Sequence, residues 1–124
     1  MAVPDEFAFS ALMHDAHEAF VGDMSAPLKE LVPQFGFWER HIARAVRAKF
    51  GLPMVLPEEV KRADMVLLAT ERRDLMPPDH GYTEWLCLRG HAPLPERIEP
   101  LPPLSAHGLF LNRFLKLRPK AIAA

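Results

Sequence analysis

Ten residues near the start of the chain, from His14 to Asp23, hold two histidines and three carboxylates between two apolar flanks. The flanks, residues 7–13 and 19–21, draw these polar groups toward an interior, where an unpaired carboxylate costs several kcal/mol. A divalent metal is the simplest partner for a His and an Asp side by side. The alternative is an ordinary amphipathic helix with a solvated polar stripe. We interpret the segment as a metal site on a helix.

The spacing of these residues supports that interpretation. A helix predicted over residues 5–20 places His14 and Glu18 four residues apart, with Asp15 and Glu18 three apart. His14 and Asp15 diverge by about 100° around the helix axis, yet both can reach an ion over the seam between them. Glu18 lies one turn further on, where a carboxyl group is suited to activate or protonate an oxygen near the ion.

Composition limits the class of protein. The chain has 124 residues, 49% of them hydrophobic and 25% charged, which is typical of one soluble globular domain. A net charge of -1 argues against a nucleic-acid polymer as partner. No apolar run approaches the ~20 residues needed to span a bilayer, so no membrane association is expected. One cysteine, Cys87, cannot form an internal disulfide and favours a cytoplasmic location.

The rest of the chain is patterned for helices. Apolar spacing predicts helices over residues 25–31, 37–50, 57–74 and 105 to about 118. The expected buried face of the second of these consists of Trp38, Ile42, Val46 and Phe50. Seven of the 13 prolines fall between positions 77 and 103, which predicts a long ordered loop before the last helix. The predicted fold is therefore all-α, without strands.

One acidic residue stands out in the helix predicted over 57–74. Asp64 lies among Val60, Leu67 and Leu68, at the centre of an apolar stripe, so it needs a partner. The pattern leaves three interpretations open: a metal ligand, a member of a salt bridge, or a residue at the edge of the helix face. Glu71, two turns further on, is a candidate for outer support of a ligand.

These residues resemble the HD-domain metal-dependent phosphohydrolases, in particular the branch of bacterial 5'-deoxynucleotidases and phage-encoded deoxynucleotide phosphohydrolases. In that branch the His-Asp doublet begins a longer motif, and a later motif, Lys-x-Ala-Asp, supplies a further metal-binding Asp. The matching residues here are His14-Asp15, Glu18, Gly22-Asp23, Pro27 and Lys29, followed by Lys61-Arg62-Ala63-Asp64. The resemblance covers roughly residues 8 to 118. It implies that residues 1–124 form a single, partial HD-like helical bundle.

The resemblance also implies a function, the hydrolysis of nucleotide or deoxynucleotide phosphoesters. His14, Asp15 and Asp64 would hold one divalent ion, with Mn, Co, Fe, Zn or Mg as candidates. Glu18 would handle the proton, and Asp23 would orient the water or stand as a second acid. Lys29 would neutralise phosphate charge, unless it is an ordinary lysine of a helix surface.

The sequence departs from the family pattern at one point. The family has a further metal-binding His on an earlier helix, whereas only thirteen residues precede His14 and none is a histidine. The chain therefore looks like an N-terminally shortened HD domain. We expect one of three situations: a fragment of a longer protein, a site completed by His17, His41 or a partner subunit, or a domain that has lost catalysis.

The last situation defines the rival function, a non-catalytic helical module. An incomplete bundle would expose apolar surface where other helices should pack, and such a surface drives self-association or partner binding. The aromatic residues expected on that surface are Phe7, Phe9, Phe20, Phe37 and Trp38. A homo-oligomer is therefore expected in addition to a nucleotide substrate.

Overall fold

The computed structural model describes residues 3–77 and 84–120, and every regular element within them is helical. This confirms the all-α prediction. The elements are a 3₁₀ turn over Asp5–Phe7, α1 (Ala8–Leu12), α2 (Glu18–Val21), α3 (Ala26–Leu31), α4 (Pro33–Lys49), α5 (Glu58–Leu75), a 3₁₀ turn over Leu86–Leu88, and α6 (Pro103–Leu117). None of the helices among these residues is both long and apolar enough to cross a membrane.

The single helix predicted over residues 5–20 is interrupted, and this prediction was wrong. Between α1 and α2, residues 13–17 form successive turns with hydrogen bonds of the i→i+3 kind, such as Ala16 N–H to the Met13 carbonyl. The cause is local, because the Ala11 carbonyl accepts the ring N–H of His14 instead of a backbone N–H one turn on. After this bend α2 turns Phe20 outward, leaving it 74% exposed, as expected for a ring of the exposed apolar surface.

The core lies around α1, which packs against α5 and α6. The buried apolar side chains among the described residues are Val3, Ala8, Met13, Val46, Val60, Ala63 and Ala69. In α4 most of the predicted inward face is confirmed, since Ile42 and Val46 turn inward, but Trp38 is 57% exposed. Trp38 packs edge-on against Phe37 on the outer surface, with ring centres 5.3 Å apart. Aromatic contact outside the core thus substitutes for burial of this ring.

The proline-rich segment is held against α5 by polar contacts. Thr70, fully buried, accepts a hydrogen bond from the Leu94 backbone N–H, and Asp74 accepts one from the Ile98 N–H. Arg73 pairs with Asp74 at 2.7 Å and donates to the Glu96 carbonyl. The segment is therefore ordered without a regular backbone, as predicted, although residues 78–83 of that loop lie outside the described residues.

The last helix, α6, is covered on one side only. It begins at Pro103, two residues before the predicted cap Ser105, because proline suits the first helical turn. Phe114 packs against Phe9 and Phe50, with ring centres 5.8 and 5.9 Å away. The exposed apolar side chains of α6 are Leu104, Leu109, Phe110, Leu111 and Leu115.

Candidate metal centre

The turn between α1 and α2 fixes the orientation of His14. Its Nδ1–H donates to the Ala11 carbonyl at 2.9 Å, which fixes the ring and directs Nε2 away from its own helix. Histidine ligands of metals are commonly oriented by such a bond at the second ring nitrogen. The hydrogen bond at Nδ1 therefore leaves Nε2 as the ring nitrogen that faces the carboxylates of Asp15 and Asp64.

Asp64 reaches this position from α5. The buried residues Val60 and Ala63 pack that helix into the core beside α1, which places the Asp64 carboxylate next to the turn. Nε2 of His14 lies 2.8 Å from Asp15 Oδ2 and 3.4 Å from Asp64 Oδ1. One ligand atom from each of the three residues falls within 4.8 Å of the others. Two sequence motifs fifty residues apart thus converge on one point.

Charge in this cluster is balanced by a proton on His14. The hydrogen bond that His14 donates to the Asp15 carboxylate is the largest cause that raises the pKa of His14, to about 9, and burial opposes it. The same hydrogen bond lowers the pKa of the Asp15 carboxyl. A cation, here the imidazolium, therefore occupies the space between two carboxylates at neutral pH. A divalent ion would take over the role of that proton.

The donor set fits a divalent ion. One imidazole nitrogen with two carboxylate oxygens suits Mn²⁺, Fe²⁺, Co²⁺ or Zn²⁺, and it also accommodates Mg²⁺. Three protein ligands are the number that catalytic sites use when a further position is left open to water or substrate. His14 is half-buried and Asp15 is exposed, so the cluster opens to solvent on one side.

The other predicted site residues lie around this cluster. Glu18, the first residue of α2, has a raised pKa, first through burial and then through the nearby charges of Asp15 and Asp23. Asp23 is exposed just after Gly22, whose φ of 76° ends α2 in a conformation that glycine adopts without strain. Lys29 Nζ lies 3.8 Å from Asp23 Oδ1. The side chains expected around the substrate are therefore on one side of the molecule.

Three residues considered for the site lie elsewhere. Glu71 is exposed, about 10 Å along α5 from Asp64, so it does not support the cluster directly. His41 packs against Phe37 and Trp38 on the outer surface of α4. The Nε2 atom of His17 faces Glu39 rather than the three ligands. Neither histidine that was proposed to complete the metal set reaches it in this structure.

Glu39 is the residue that the sequence interpretation missed. It lies in α4, its side chain is only 17% exposed, and it accepts a hydrogen bond from Lys29 at 2.7 Å. A signal was present in the sequence, because Glu39 stands three residues before Ile42 and seven before Val46, on the inward face. His17, Glu18 and Glu39 form a second group whose ligand atoms lie within 4.8 Å of one another.

Two curated relatives match the chain. It is 48% identical over 114 residues to the uncharacterized protein YfdR of Escherichia coli, an alignment that covers 90% of this chain and 62% of that protein. It is 40% identical over 63 residues to the uncharacterized protein RCAP_rcc00048 of Rhodobacter capsulatus, covering 49% of this chain and 32% of the relative. The chain thus spans less than two thirds of either relative. No family model and no solved structure matches it.

Proposed function

We propose that this chain is a metal-dependent phosphohydrolase of HD type that acts on nucleotide or deoxynucleotide phosphoesters. The observation that carries the proposal is the convergence of His14, Asp15 and Asp64, with Nε2 of His14 oriented toward the two carboxylates. The chemistry of the donor set supports the metal, and the resemblance of the two motifs supports the substrate class.

The side chains around the cluster suit phosphoester hydrolysis. When bound, the divalent ion supplies Lewis-acid chemistry, which neutralises phosphate charge and makes water more acidic. Glu18 handles the proton, because burial and two neighbouring carboxylates raise its pKa and favour proton uptake. Asp23, exposed at the rim, orients the attacking water, and Lys29 lies close enough to meet an anionic phosphate. We expect slow turnover, since the set has one ligand fewer than the family's four.

The test is metal content with a matched control. Wild type, Asp64→Ala and Glu59→Ala, an exposed acid of the same helix, are loaded with Mn²⁺, desalted and analysed by plasma mass spectrometry. We expect near-stoichiometric metal in wild type and Glu59→Ala and its loss in Asp64→Ala, with hydrolysis of a deoxynucleotide panel following the metal. Equal metal in all three proteins, or none in any, would contradict the proposal.

The exposed side of α6 favours a second candidate function, a module that associates with itself. Two of its apolar side chains, Leu104 and Leu109, are 83% and 60% exposed, and an apolar surface of this kind drives self-association. Light scattering after gel filtration tests it. We expect a dimer or larger assembly for wild type and a monomer for Leu109→Glu, whose side chain is 60% exposed. A monomeric wild type contradicts this function.

A further inference from the structure

The second cluster beside the metal centre is built around a partly buried carboxylate. Glu39 Oε1 lies 2.7 Å from Lys29 Nζ and 3.8 Å from His17 Nε2. The side chains of Glu39 and His17 are only 17% and 12% exposed. One carboxylate therefore lies near basic side chains from two separate segments, α3 and the residue before α2, and both α2 and α3 pack on α4.

Lys29 is held on several sides at once. Its ammonium donates to Glu39 and lies 3.8 Å from Asp23 and 5.7 Å from the centre of the Phe35 ring. The hydrogen bond that Lys29 donates to Glu39 is the largest of the causes that raise the pKa of Lys29, so the amine stays protonated. A lysine side chain loses much rotamer freedom when it is fixed in this way. The contact with Glu39 imposes that order before any ligand arrives.

The geometry of His17, Glu18 and Glu39 also satisfies the conditions for a metal ion. Glu39, however, already has a cationic partner in Lys29 at hydrogen-bond distance. A metal here would have to displace that ammonium from the poorly solvated Glu39 carboxylate. The Lys29 charge would then lose its nearest partner. The arrangement therefore suits an anchor for a lysine better than a second metal site.

We propose that Glu39 is a positioning residue that holds Lys29 at the rim of the metal centre, facing Asp23, so that a fixed ammonium meets the anionic substrate. This inference rests on the proposed function. The centre itself is rich in carboxylates, which repel a phosphoester. A cation fixed near them lowers that repulsion, whereas a mobile lysine would turn to solvent.

The experiment compares Glu39→Ala and Glu39→Gln with wild type, with Glu30→Gln, an exposed acid of α3, as the control. Glu39→Gln keeps the size and the acceptor oxygen, so it keeps the inference testable if Glu39→Ala fails to fold. Acetic anhydride labelling followed by mass spectrometry reports how well Lys29 is protected. Lys61, which pairs with Glu58 in an exposed contact, serves as the internal reference.

We expect unchanged metal content, faster labelling of Lys29 relative to Lys61, and a roughly 10–100-fold fall in kcat/KM, mostly through KM, in Glu39→Ala. The effect of Glu39→Gln should be smaller and in the same direction. In a Lys29→Met background, Glu39→Ala should cost little more, because the two residues act as one unit. If Glu39 had only a structural role, Glu39→Ala would lower kcat/KM by the same factor in the Lys29→Met background as in wild type.

Other results overturn the inference. Unchanged labelling of Lys29, unchanged kcat/KM in an active enzyme, or loss of metal in Glu39→Gln would each show that Glu39 does something else. Failure of the proposed function has a different signature: wild type and Asp64→Ala would then be equally inert toward nucleotides. In that case the reaction role of Glu39 fails with it, whatever the labelling shows.

Discussion

Metal binding at this site must displace a proton, and this gives a quantitative prediction. A histidine ligand has to be neutral at the coordinating nitrogen. In the metal-free protein the Asp15 carboxylate raises the pKa of His14 to about 9, so the imidazolium dominates at neutral pH. At pH 7, two units below that pKa, about one molecule in a hundred has the neutral ring. The cost to metal affinity is about 2.7 kcal/mol, as an upper limit, because Asp15 is exposed and water screens its charge.

The direction in which metal affinity changes with pH follows from the same argument. As the pH rises toward 9 the proton leaves His14 without help from the metal, so apparent affinity increases and then levels off above pH 9. Between pH 6.5 and 8.5 we expect the apparent Kd for Mn²⁺ to fall about tenfold per pH unit, with close to one proton released per ion.

Titration calorimetry measures both quantities. Parallel titrations in buffers with different ionisation enthalpies give the number of protons released, and the pH series gives the slope. Nuclear magnetic resonance titration of His14 in the metal-free protein supplies an independent pKa. Metal binding with a Kd that does not change over this range, and with no proton release, would refute the reasoning, since His14 would then be neutral before the metal arrives.

The remaining predictions concern the stability and the packing of the chain. Metal-free protein should lose stability to urea as the pH rises from about 6.5 through 9, because the raised pKa of His14 stabilises the fold only while the ring is protonated; the decline should be absent in Asp15→Asn. Thr70→Val should cost about 1–3 kcal/mol in urea unfolding, because the Leu94 N–H loses its acceptor, while Thr70→Ser should cost less. Arg73→Ala should speed limited proteolysis of the proline-rich segment that this side chain holds against α5, as followed by mass spectrometry.

Hydrophobic periodicity predicted most of the residues that pack in the core, but it did not predict where the chain bends. The α5 pattern identified Asp64 as an acid in an apolar stripe, and the structure gives that acid a partner across fifty residues. The break before α2 has no counterpart in the apolar spacing, because it arises from one bond between the His14 ring and the Ala11 carbonyl. A bond between a side chain and the backbone competes with the helix without changing the hydrophobic pattern.

The inward face of α4 shows a second limit of sequence interpretation. The prediction weighted the face by its largest ring, Trp38, which in the structure finds aromatic partners on the outside. Glu39, the next residue in the chain, lies inward instead, and the charge of Glu39 is balanced by Lys29 from α3. An acid on a half-buried face can be recognised from the sequence, but its partner comes from tertiary packing.

The geometry also bears on how the metal set is completed. His17 is engaged with Glu39, and His41 lies among the outer aromatic rings, so the candidates within the chain do not supply the extra ligand. If a partner subunit supplies a further ligand, metal binding and association stabilise each other, since each favours the same assembled state. The exposed side of α6 and the open side of the metal centre would then serve one function, and metal affinity would rise with protein concentration.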